Sequence, residues 1–242
     1  MLEMKEEQMF RLTVIYDNVA DQDFEGSWGF AVLVETNREI LLFDTGWDGT
    51  LLVKHMKKLN INLKCIKKLI LSHQHWDHIG GLPEILQANP GLKVYVPASF
   101  SKNLKTEIGN RATLIEVKES VEISQGVRST GELGNKIKEQ ALILDTGNGC
   151  YVLTGCAHPG LAIIMDTALV YGNIKGIFGG LHDSKEFERL TGLKIIAVGH
   201  CTAHKEKIKE IFPSEFIEVK VGLRLDLKCE PIRKVNNDML KS

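Results

Sequence analysis

The sequence lacks the features that mark several large classes of protein. It has no apolar run long enough to cross a bilayer, and its first ten residues, MLEMKEEQMF, carry acidic residues where a secretory signal would have an apolar core. The formal net charge is only −1, so no overall electric field favours nucleic acid or an anionic membrane as a partner. We therefore expect a cytoplasmic protein that acts on a small molecule, with neither a membrane nor a nucleic acid as its partner.

Paired cysteines are missing as well. The five cysteines are odd in number and include no CxxC spacing, so a disulfide framework or a structural zinc ribbon is not expected. We expect most of them to be buried, reduced thiols, and two of them, Cys156 and Cys201, lie next to histidine motifs. No linker rich in proline or serine divides the 242 residues, which predicts one domain over residues 1–242.

Short apolar segments alternate with helical patterns along the chain. Strands are predicted, from β-branched and apolar residues bounded by turn residues, at 11–18, 29–36, 38–46, 66–73, 92–97, 112–118, 140–147, 149–155, 174–180, 193–200 and 215–228. Helices are predicted, from apolar residues at helical spacing, at 48–60, 81–89, 99–108, 160–172, 184–192 and 204–212. This pattern predicts an α/β (α+β) fold with two sheets packed face to face between helices.

The stretch LILSHQHWDHIGGLPE, residues 69–84, concentrates side chains that bind metals. His73 and His75 follow a predicted strand, and in an extended segment they point to the same side and can hold one ion together. Asp77 and His78 come where the loop enters a helix, and their side chains can turn toward a second ion. Imidazole and carboxylate suit Zn²⁺, Fe²⁺ or Mn²⁺ better than Ca²⁺ or Mg²⁺. The stretch therefore predicts one or two divalent transition-metal ions as cofactors.

Three later histidines, His158, His182 and His200, come soon after predicted apolar strands. Strand ends that carry such residues predict loops that converge on one edge of the sheets. We expect His182 to act on the substrate side, where it or His204 could donate a proton to a leaving group; the alternative for His182 is that it only packs beneath the site. His204 is either a substrate-facing residue or a neighbour of a helix cap, and His55 is predicted on the polar face of an early helix without a role in the site.

These motifs together resemble the metallo-β-lactamase superfamily. The resemblance is carried by FDTG at 43–46, by HQHWDH at 73–78 and by the single histidines at later strand ends. It implies a four-layer αββα sandwich with a mononuclear or dinuclear metal site at one edge. It also implies the ligands of the two metal ions, which are His73, His75 and His158 for one ion and Asp77, His78 and His200 for the other. Asp44 would be a buried organiser of this site and not a ligand.

One position departs from the family pattern. Many members of the superfamily supply a bridging aspartate after a TGD strand end, whereas this chain reads Thr154-Gly155-Cys156. Three consequences stay open at this point. His158 takes over as a ligand, Asp183 supplies the carboxylate instead, or the second metal is weakly bound or absent, with water alone as the bridge.

The stretches YDN at 16–18, TGCAHPGL, GGLH and GHCTAHK resemble one subgroup, which includes a dihydropterin–ribofuranosylaminobenzene phosphate synthase. The resemblance implies a metal-dependent hydrolase of a phosphorylated or pterin-like small molecule, in which Asp77 orients water that the metal activates. The alternative is a synthase-type transferase that uses the metal as a Lewis acid and releases pyrophosphate. Trp47 and Trp76 could stack on a flat substrate ring, or could simply pack. A non-catalytic metal-binding protein is the third hypothesis.

Overall fold

The computed structural model describes residues 9–228, which fold into two seven-stranded sheets with helices on their outer faces. The strands, in chain order, are Phe10–Tyr16 (β1), Ala31–Glu35 (β2), Ile40–Phe43 (β3), Ile66–Ile70 (β4), Lys93–Pro97 (β5), Thr113–Val117 (β6), Val121–Ser124 (β7), Val127–Ser129 (β8), Leu142–Asp145 (β9), Cys150–Thr154 (β10), Ile174–Gly179 (β11), Ile195–Val198 (β12), Phe216–Glu218 (β13) and Arg224–Leu227 (β14). The α-helices are Gly49–Lys58 (α1), Trp76–Ile79 (α2), Leu82–Ala88 (α3), Lys102–Gly109 (α4), Leu161–Leu169 (α5) and Lys205–Ile211 (α6).

The strand order is β14-β1-β2-β3-β4-β5-β6 in the first sheet and β13-β12-β11-β10-β9-β8-β7 in the second. Strands β3 to β6 of the first sheet pair in parallel, as do strands β10 to β13 of the second. Because parallel strands end at the same edge of a sheet, the loops that follow them lie together.

Three apolar layers hold the sandwich together. The inner faces of the two sheets form one buried cluster, in which Phe30 of the first sheet and Phe178 of the second have ring centroids 6.5 Å apart. A second cluster packs the first sheet against α1 and α3, and a third packs the second sheet against α5. The predicted four-layer αββα sandwich is confirmed.

Helix α1 shows how a local pattern builds one outer layer. Asp48 caps it, because its carboxylate accepts hydrogen bonds from the backbone N–H groups of Thr50 and Leu51. Leu52, His55 and Met56 lie on one face of the helix and are buried, so the prediction that His55 lies on the polar face is wrong. Helical spacing of three and four residues places the ring on the same side as the two apolar residues.

Other predicted elements differ in part from the structure. The helix predicted at 184–192 is only a 3-10 turn at Phe187–Leu190, and the extended stretch at 215–228 divides between β13 and β14, which belong to different sheets. The cysteines are less uniformly buried than predicted, since Cys65 is exposed and Cys201 partly exposed, whereas Cys150 and Cys156 are buried. Cys229 and both ends of the predicted single domain lie outside the described residues.

Within residues 9–228, none of the helices has the length and apolar character required to span a membrane.

Candidate metal centre

Loops from both sheets meet at one edge of the sandwich. The segment that contains His73 to His78 follows β4 of the first sheet, and the loops with His158, His182 and His200 follow β10, β11 and β12 of the second. His78 and His200 therefore come from different sheets, yet their ring centroids are 4.9 Å apart. The packing of the two sheets brings together residues that lie more than a hundred positions apart in the chain.

The backbone of these loops adopts an uncommon conformation. Asp44, Ala157, His182 and His200 have φ angles of 59°, 58°, 46° and 45°, and Asn60 is the one other non-glycine residue with positive φ in the described part of the chain. The left-handed region costs a non-glycine residue about 1 kcal/mol or more, so surrounding contacts must hold it there. Such residues cluster at functional sites in proteins.

Asp77, His78 and His200 form what we call the inner group. The Nε2 atoms of His78 and His200 are 3.2 Å apart, and Asp77 Oδ2 lies 3.3 Å from His200 Nε2 and 3.8 Å from His78 Nε2. The indole N–H of Trp28 donates to the same Asp77 oxygen at 2.8 Å. Three potential ligand atoms thus converge, and both imidazoles are buried.

His73, His75 and His158 form the cavity-side group. The ring centroid of His73 lies 4.6 Å from that of His75 and 4.7 Å from that of His158, and His73 Nε2 is 3.0 Å from His75 Nδ1. His158 Nε2 is buried, and it has no hydrogen-bond partner among the described residues. The exposed ring of His182 lies beside this group, 4.7 Å from His158 between centroids.

Asp44 links the inner group and the cavity-side group through hydrogen bonds. Its carboxylate accepts three hydrogen bonds of 2.7 Å, from the backbone N–H of Ser72, the hydroxyl of Ser72 and Nδ1–H of His78. Because Ser72 gives its one hydroxyl proton to Asp44, its oxygen accepts from Nδ1–H of His73 at 2.9 Å. Both rings therefore carry their proton on Nδ1 and present the Nε2 lone pair to the site.

His200 is oriented in the same manner by the first sheet. Its Nδ1–H donates to the side-chain oxygen of Asn18 at 3.2 Å, and the side-chain amide of Asn18 donates to the His200 carbonyl at 3.0 Å. The backbone N–H of His200 donates to Asp17, a fully buried carboxylate whose pKa burial raises to about 7. These contacts hold the left-handed conformation of His200 and direct its Nε2 toward His78.

Most of the clustered imidazoles are neutral at pH 7. Burial, followed by the charges of His78 and His158, lowers the pKa of His73 well below its ordinary value. Burial and the neighbouring rings lower the pKa of His158 to about 4. Burial also lowers the pKa of His200, although Asp77 opposes this effect. A neutral imidazole is the form that binds a metal ion.

Two residues of the inner group titrate differently. Burial lowers the pKa of His78, but the Asp44 and Asp77 carboxylates outweigh burial and raise it above the ordinary value. For Asp77 the balance is the reverse, because burial raises its pKa while His200 and His78 lower it well below the ordinary range. Asp77 is therefore ionised at neutral pH.

Cys156 lies between the two groups. Its Sγ is 3.2 Å from His78 Nε2, and it forms one potential ligand set with His73 and His158 and another with His78 and His200. Within each set, all ligand atoms lie within 4.8 Å of one another. Asp183, the alternative carboxylate considered from the sequence, is not a member of either set, and its Oδ1 pairs with Nε2 of His204 at 2.8 Å.

Sequence analysis missed Glu139, which supports the loop with Cys156 and His158. Its buried carboxylate accepts backbone N–H groups of four consecutive residues, at 3.1, 2.9, 3.0 and 2.9 Å, from Gly155 to His158. Burial raises the pKa of Glu139, and the four N–H donors oppose that effect. No local pattern marks this residue, since its contacts lie 16 to 19 positions along the chain.

The tryptophans and His204 lie around the site. Trp28, Trp47 and Trp76 are 54%, 56% and 69% exposed, so ordinary packing does not account for their rings. Backbone hydrogen bonds join their segments, from Phe30 to Asp77, from Gly46 to Phe30 and from Gly80 to Gly46. His204 occupies the N-cap position of α6 without capping the helix through its side chain.

A cavity of about 670 Å³ opens beside the cavity-side group. Its walls include His158 and His182, two lysines, Lys136 and Lys185, and the apolar side chain of Ile163. Cavities of roughly 300 to 1,000 Å³ are typical of small-molecule sites. The arrangement can therefore hold a small ligand against the exposed side of the histidine cluster.

Known proteins match this chain in sequence and in structure. The profile of the Metallo-beta-lactamase superfamily matches residues 29–183. The chain is 27% identical to the 7,8-dihydropterin-6-methyl-4-(beta-D-ribofuranosyl)-aminobenzene-5'-phosphate synthase of Methanocaldococcus jannaschii, over 78% of this chain and 84% of that protein. Ribonuclease Z of Lactobacillus delbrueckii subsp. bulgaricus is 32% identical over 46% of this chain and 37% of its own length. The crystal structure of a metal-dependent hydrolase of the beta-lactamase superfamily matches 91% of this chain and 100% of that protein, with a TM-score of 0.73 and 26% identity. The chain therefore belongs to the metallo-β-lactamase superfamily.

Proposed function

We propose that this protein is a metal-dependent hydrolase of a phosphorylated or pterin-like small molecule. The observation that carries the proposal is the meeting of potential ligand atoms from the inner and cavity-side groups at one edge of the sandwich, where His158 also lines the 670 Å³ cavity. Membership of the superfamily and the similarity to the synthase of M. jannaschii support it. The ligands we propose are His73, His75 and His158 for one ion and Asp77, His78 and His200 for the other.

The residues fit one or two divalent transition metals such as Zn²⁺, Fe²⁺ or Mn²⁺. The Nδ1 protons of His78 and His200 point away from the site, so their Nε2 lone pairs face each other at 3.2 Å. Such a contact is repulsive unless a proton or a metal ion lies between the two nitrogens, and the carboxylates that raise the pKa of His78 favour a positive charge there. The buried, unpartnered Nε2 of His158 is a further atom that a cation would satisfy. When bound, a divalent metal supplies a Lewis acid that polarises substrate oxygens and lowers the pKa of water.

In this proposal the side chains of the chain orient the substrate and move protons. Asp77 stays ionised, and Trp28 holds its Oδ2, so the carboxylate can accept a hydrogen bond from the attacking water and orient it. His182 lies on the cavity wall, where its ring can donate a proton to the leaving group. We propose Asp77 and His182 as the catalytic residues and Asp44 as the residue that organises both groups.

The alternative is a synthase-type transferase in which an arylamine replaces water and pyrophosphate leaves. The observation that favours it is the set of three exposed tryptophans on hydrogen-bonded segments around Asp77, since indole rings stack on flat heterocycles. We propose Trp47 and Trp76 as substrate-binding residues on this basis. We also propose His204 as a substrate-binding residue, because it is hydrogen-bonded to Asp183, which lines the cavity. Lys136 and Lys185 would then face phosphate oxygens.

One set of assays separates these possibilities. Protein loaded with Zn²⁺, Mn²⁺ or Fe²⁺ is tested on phosphodiester, thioester and lactone substrates, on an RNA, and on a pterin diphosphate with and without an arylamine. Hydrolysis of a small molecule is the result we expect, and release of pyrophosphate only with the arylamine would identify the transferase. RNA cleavage, or no reaction at all in protein whose metal content is verified, would overturn the proposal. A Trp76→Ala variant sharpens the test, because it should raise KM for the pterin about tenfold and leave metal content unchanged.

A further inference from the structure

The position where many superfamily members carry an aspartate holds Cys156 in this chain, and the structure shows where its sulfur lies. The side chain is 2% exposed, and its Sγ belongs to both potential ligand sets. Among the described residues, no other side chain is shared by the two sets. An atom that can reach both sets is in the position of a bridging ligand.

We propose that the Cys156 thiolate bridges two metal ions, one held by the cavity-side group and the other by the inner group. This inference rests on the proposed metal-dependent function, and it replaces the expectation that water alone bridges the ions. As the two metal–sulfur bonds form, the S–H bond breaks and its proton passes to solvent, with no oxidation or reduction.

Hydrogen bonds of the surrounding loop fix the backbone from which the Cys156 side chain extends. Glu139 accepts the N–H of Cys156 at 2.9 Å and holds the residues on either side, and the next residue, Ala157, is in the left-handed conformation. Because four backbone hydrogen bonds to one carboxylate hold this loop, the Cα and Cβ of Cys156 cannot move away from the two sets without leaving that buried carboxylate unsatisfied.

A sulfur bridge changes which metals the site prefers. Thiolate is a soft ligand that favours Zn²⁺, Fe²⁺ and Co²⁺, whereas a bridging carboxylate also suits Mn²⁺ and Mg²⁺. We therefore expect a stronger preference for Zn²⁺ over Mn²⁺ in this protein than in its Cys156→Asp variant.

Cys201 offers a matched control, because it is a second thiol close to Cys156. Its Sγ lies 4.0 Å from the Cys156 carbonyl oxygen, and Gly180 leaves room for both residues, since a Cβ there would lie 2.7 Å from Cys201 Sγ and 3.3 Å from Cys156 Cα. Cys201 belongs to neither ligand set. A Cys201→Ala variant therefore removes a neighbouring thiol without removing the proposed bridge.

The test is titration of metal-free protein with Co²⁺, followed by absorption in the near ultraviolet, where a cobalt–thiolate bond absorbs strongly. Wild type and Cys201→Ala should show this band and bind two ions per chain. Cys156→Ala should lose the band and bind Zn²⁺ at least about tenfold to hundredfold more weakly, the loss that even outer-shell substitutions cause. Cys156→Asp should lose the band, retain two ions and bind Mn²⁺ relatively better. Thermal unfolding of the metal-free variants verifies that they fold.

Three outcomes would overturn the inference, and they distinguish failure of the bridge from failure of the proposed function. Wild type that binds cobalt without the thiolate band, or a Cys156→Ala variant that retains the band and both ions, would refute the sulfur bridge and leave the metal-dependent function standing. Wild type that binds no metal after reconstitution would refute the proposed function itself.

Discussion

Buried histidines occur in two regions of this molecule, and they differ in how the second ring nitrogen is used. His55 on α1 donates from Nδ1 to the Ile15 carbonyl at 2.9 Å and accepts the Glu25 N–H at Nε2 at 3.3 Å. His73 and His78 are as deeply buried and also donate from Nδ1, but their Nε2 atoms face other potential ligands. Burial alone therefore does not identify a ligand. The useful sign is a buried lone pair that the chain itself leaves without a donor.

The largest expected effect comes from Asp44→Asn, which would remove the orientation of both site rings. The amide would place an N–H₂ group against donors of Ser72 and His78, so at least one buried donor would lose its partner. We expect the free energy of unfolding to fall by about 3 kcal/mol, with loss of metal binding. Urea denaturation of the metal-free protein and elemental analysis measure the two effects.

Asp48→Asn is the matched control for this change. Asp48 lies four positions away and caps α1, and asparagine is also a good N-cap residue, so stability should change little and metal content should stay normal. Normal metal content in the Asp44 variant would contradict the role we assign to Asp44.

The second prediction compares the histidines of the site with His55 by making the same substitution, histidine to asparagine, in both regions. His73→Asn should abolish metal binding and activity together, and His200→Asn should remove the inner ion preferentially. His55→Asn should retain all bound metal but lose about 1 to 3 kcal/mol of stability, because its buried hydrogen-bond partners lose their geometry. Elemental analysis measures the metal. The distinction between the regions fails if the His55 variant loses metal or the His200 variant retains its full content.

The third prediction concerns Glu139, whose carboxylate is not one of the proposed metal ligands. Glu139→Gln replaces an acceptor oxygen by an N–H₂ group, which cannot accept the N–H groups of the loop from Gly155 to His158. We expect zinc affinity to fall by about tenfold to hundredfold, measured by competition with a chelator. Glu132→Gln is the control, since Glu132 accepts the Ser99 N–H and pairs with Lys138 at 3.8 Å, neither of which is a proposed metal ligand, so the substitution should leave affinity unchanged.

The smallest expected effect is on the pH dependence of stability. Burial lowers the pKa of His55 below its ordinary value of 6.5, so between these two values the unfolded chain binds more protons than the folded one. Stability from this residue is therefore present above pH 6.5 and is lost as the pH falls toward the lowered pKa. In metal-free protein, His55→Asn should show a shallower decline between about pH 7 and pH 5 than wild type, by urea denaturation at each pH. An unchanged slope would mean that His55 does not contribute.

The parts of the site that depend on short-range pattern were predictable from the sequence. His73, His75, Asp77 and His78 share one short segment after a strand, so their convergence follows from local geometry. The histidines at later strand ends were predictable as a group, because parallel strands end at one edge. The resemblance to the superfamily, carried by the same motifs, is confirmed by the profile match.

The parts that depend on contacts between distant segments were not predictable. Glu139 and Asp17 have no local signature, because what they contact is the backbone of loops elsewhere in the chain. The hairpin of β7 and β8 was missed, and the last extended segment divides between sheets, because pairing partners are chosen by the packed sandwich. His55 was misplaced because a helix with a polar residue on its apolar face needs a distant carbonyl to satisfy that residue.

The sequence by itself indicated which side chains could bind a metal, most of the order of strands and helices, and the edge of the sheets at which the histidines gather, since these follow from side-chain chemistry and from periodicity along the chain. Only the tertiary structure decided which nitrogens face the site, that Cys156 lies between the two groups, and that His55 is buried with a hydrogen bond at each ring nitrogen. Ring orientation is set by hydrogen bonds to residues of other strands, and those partners meet only when the two sheets pack.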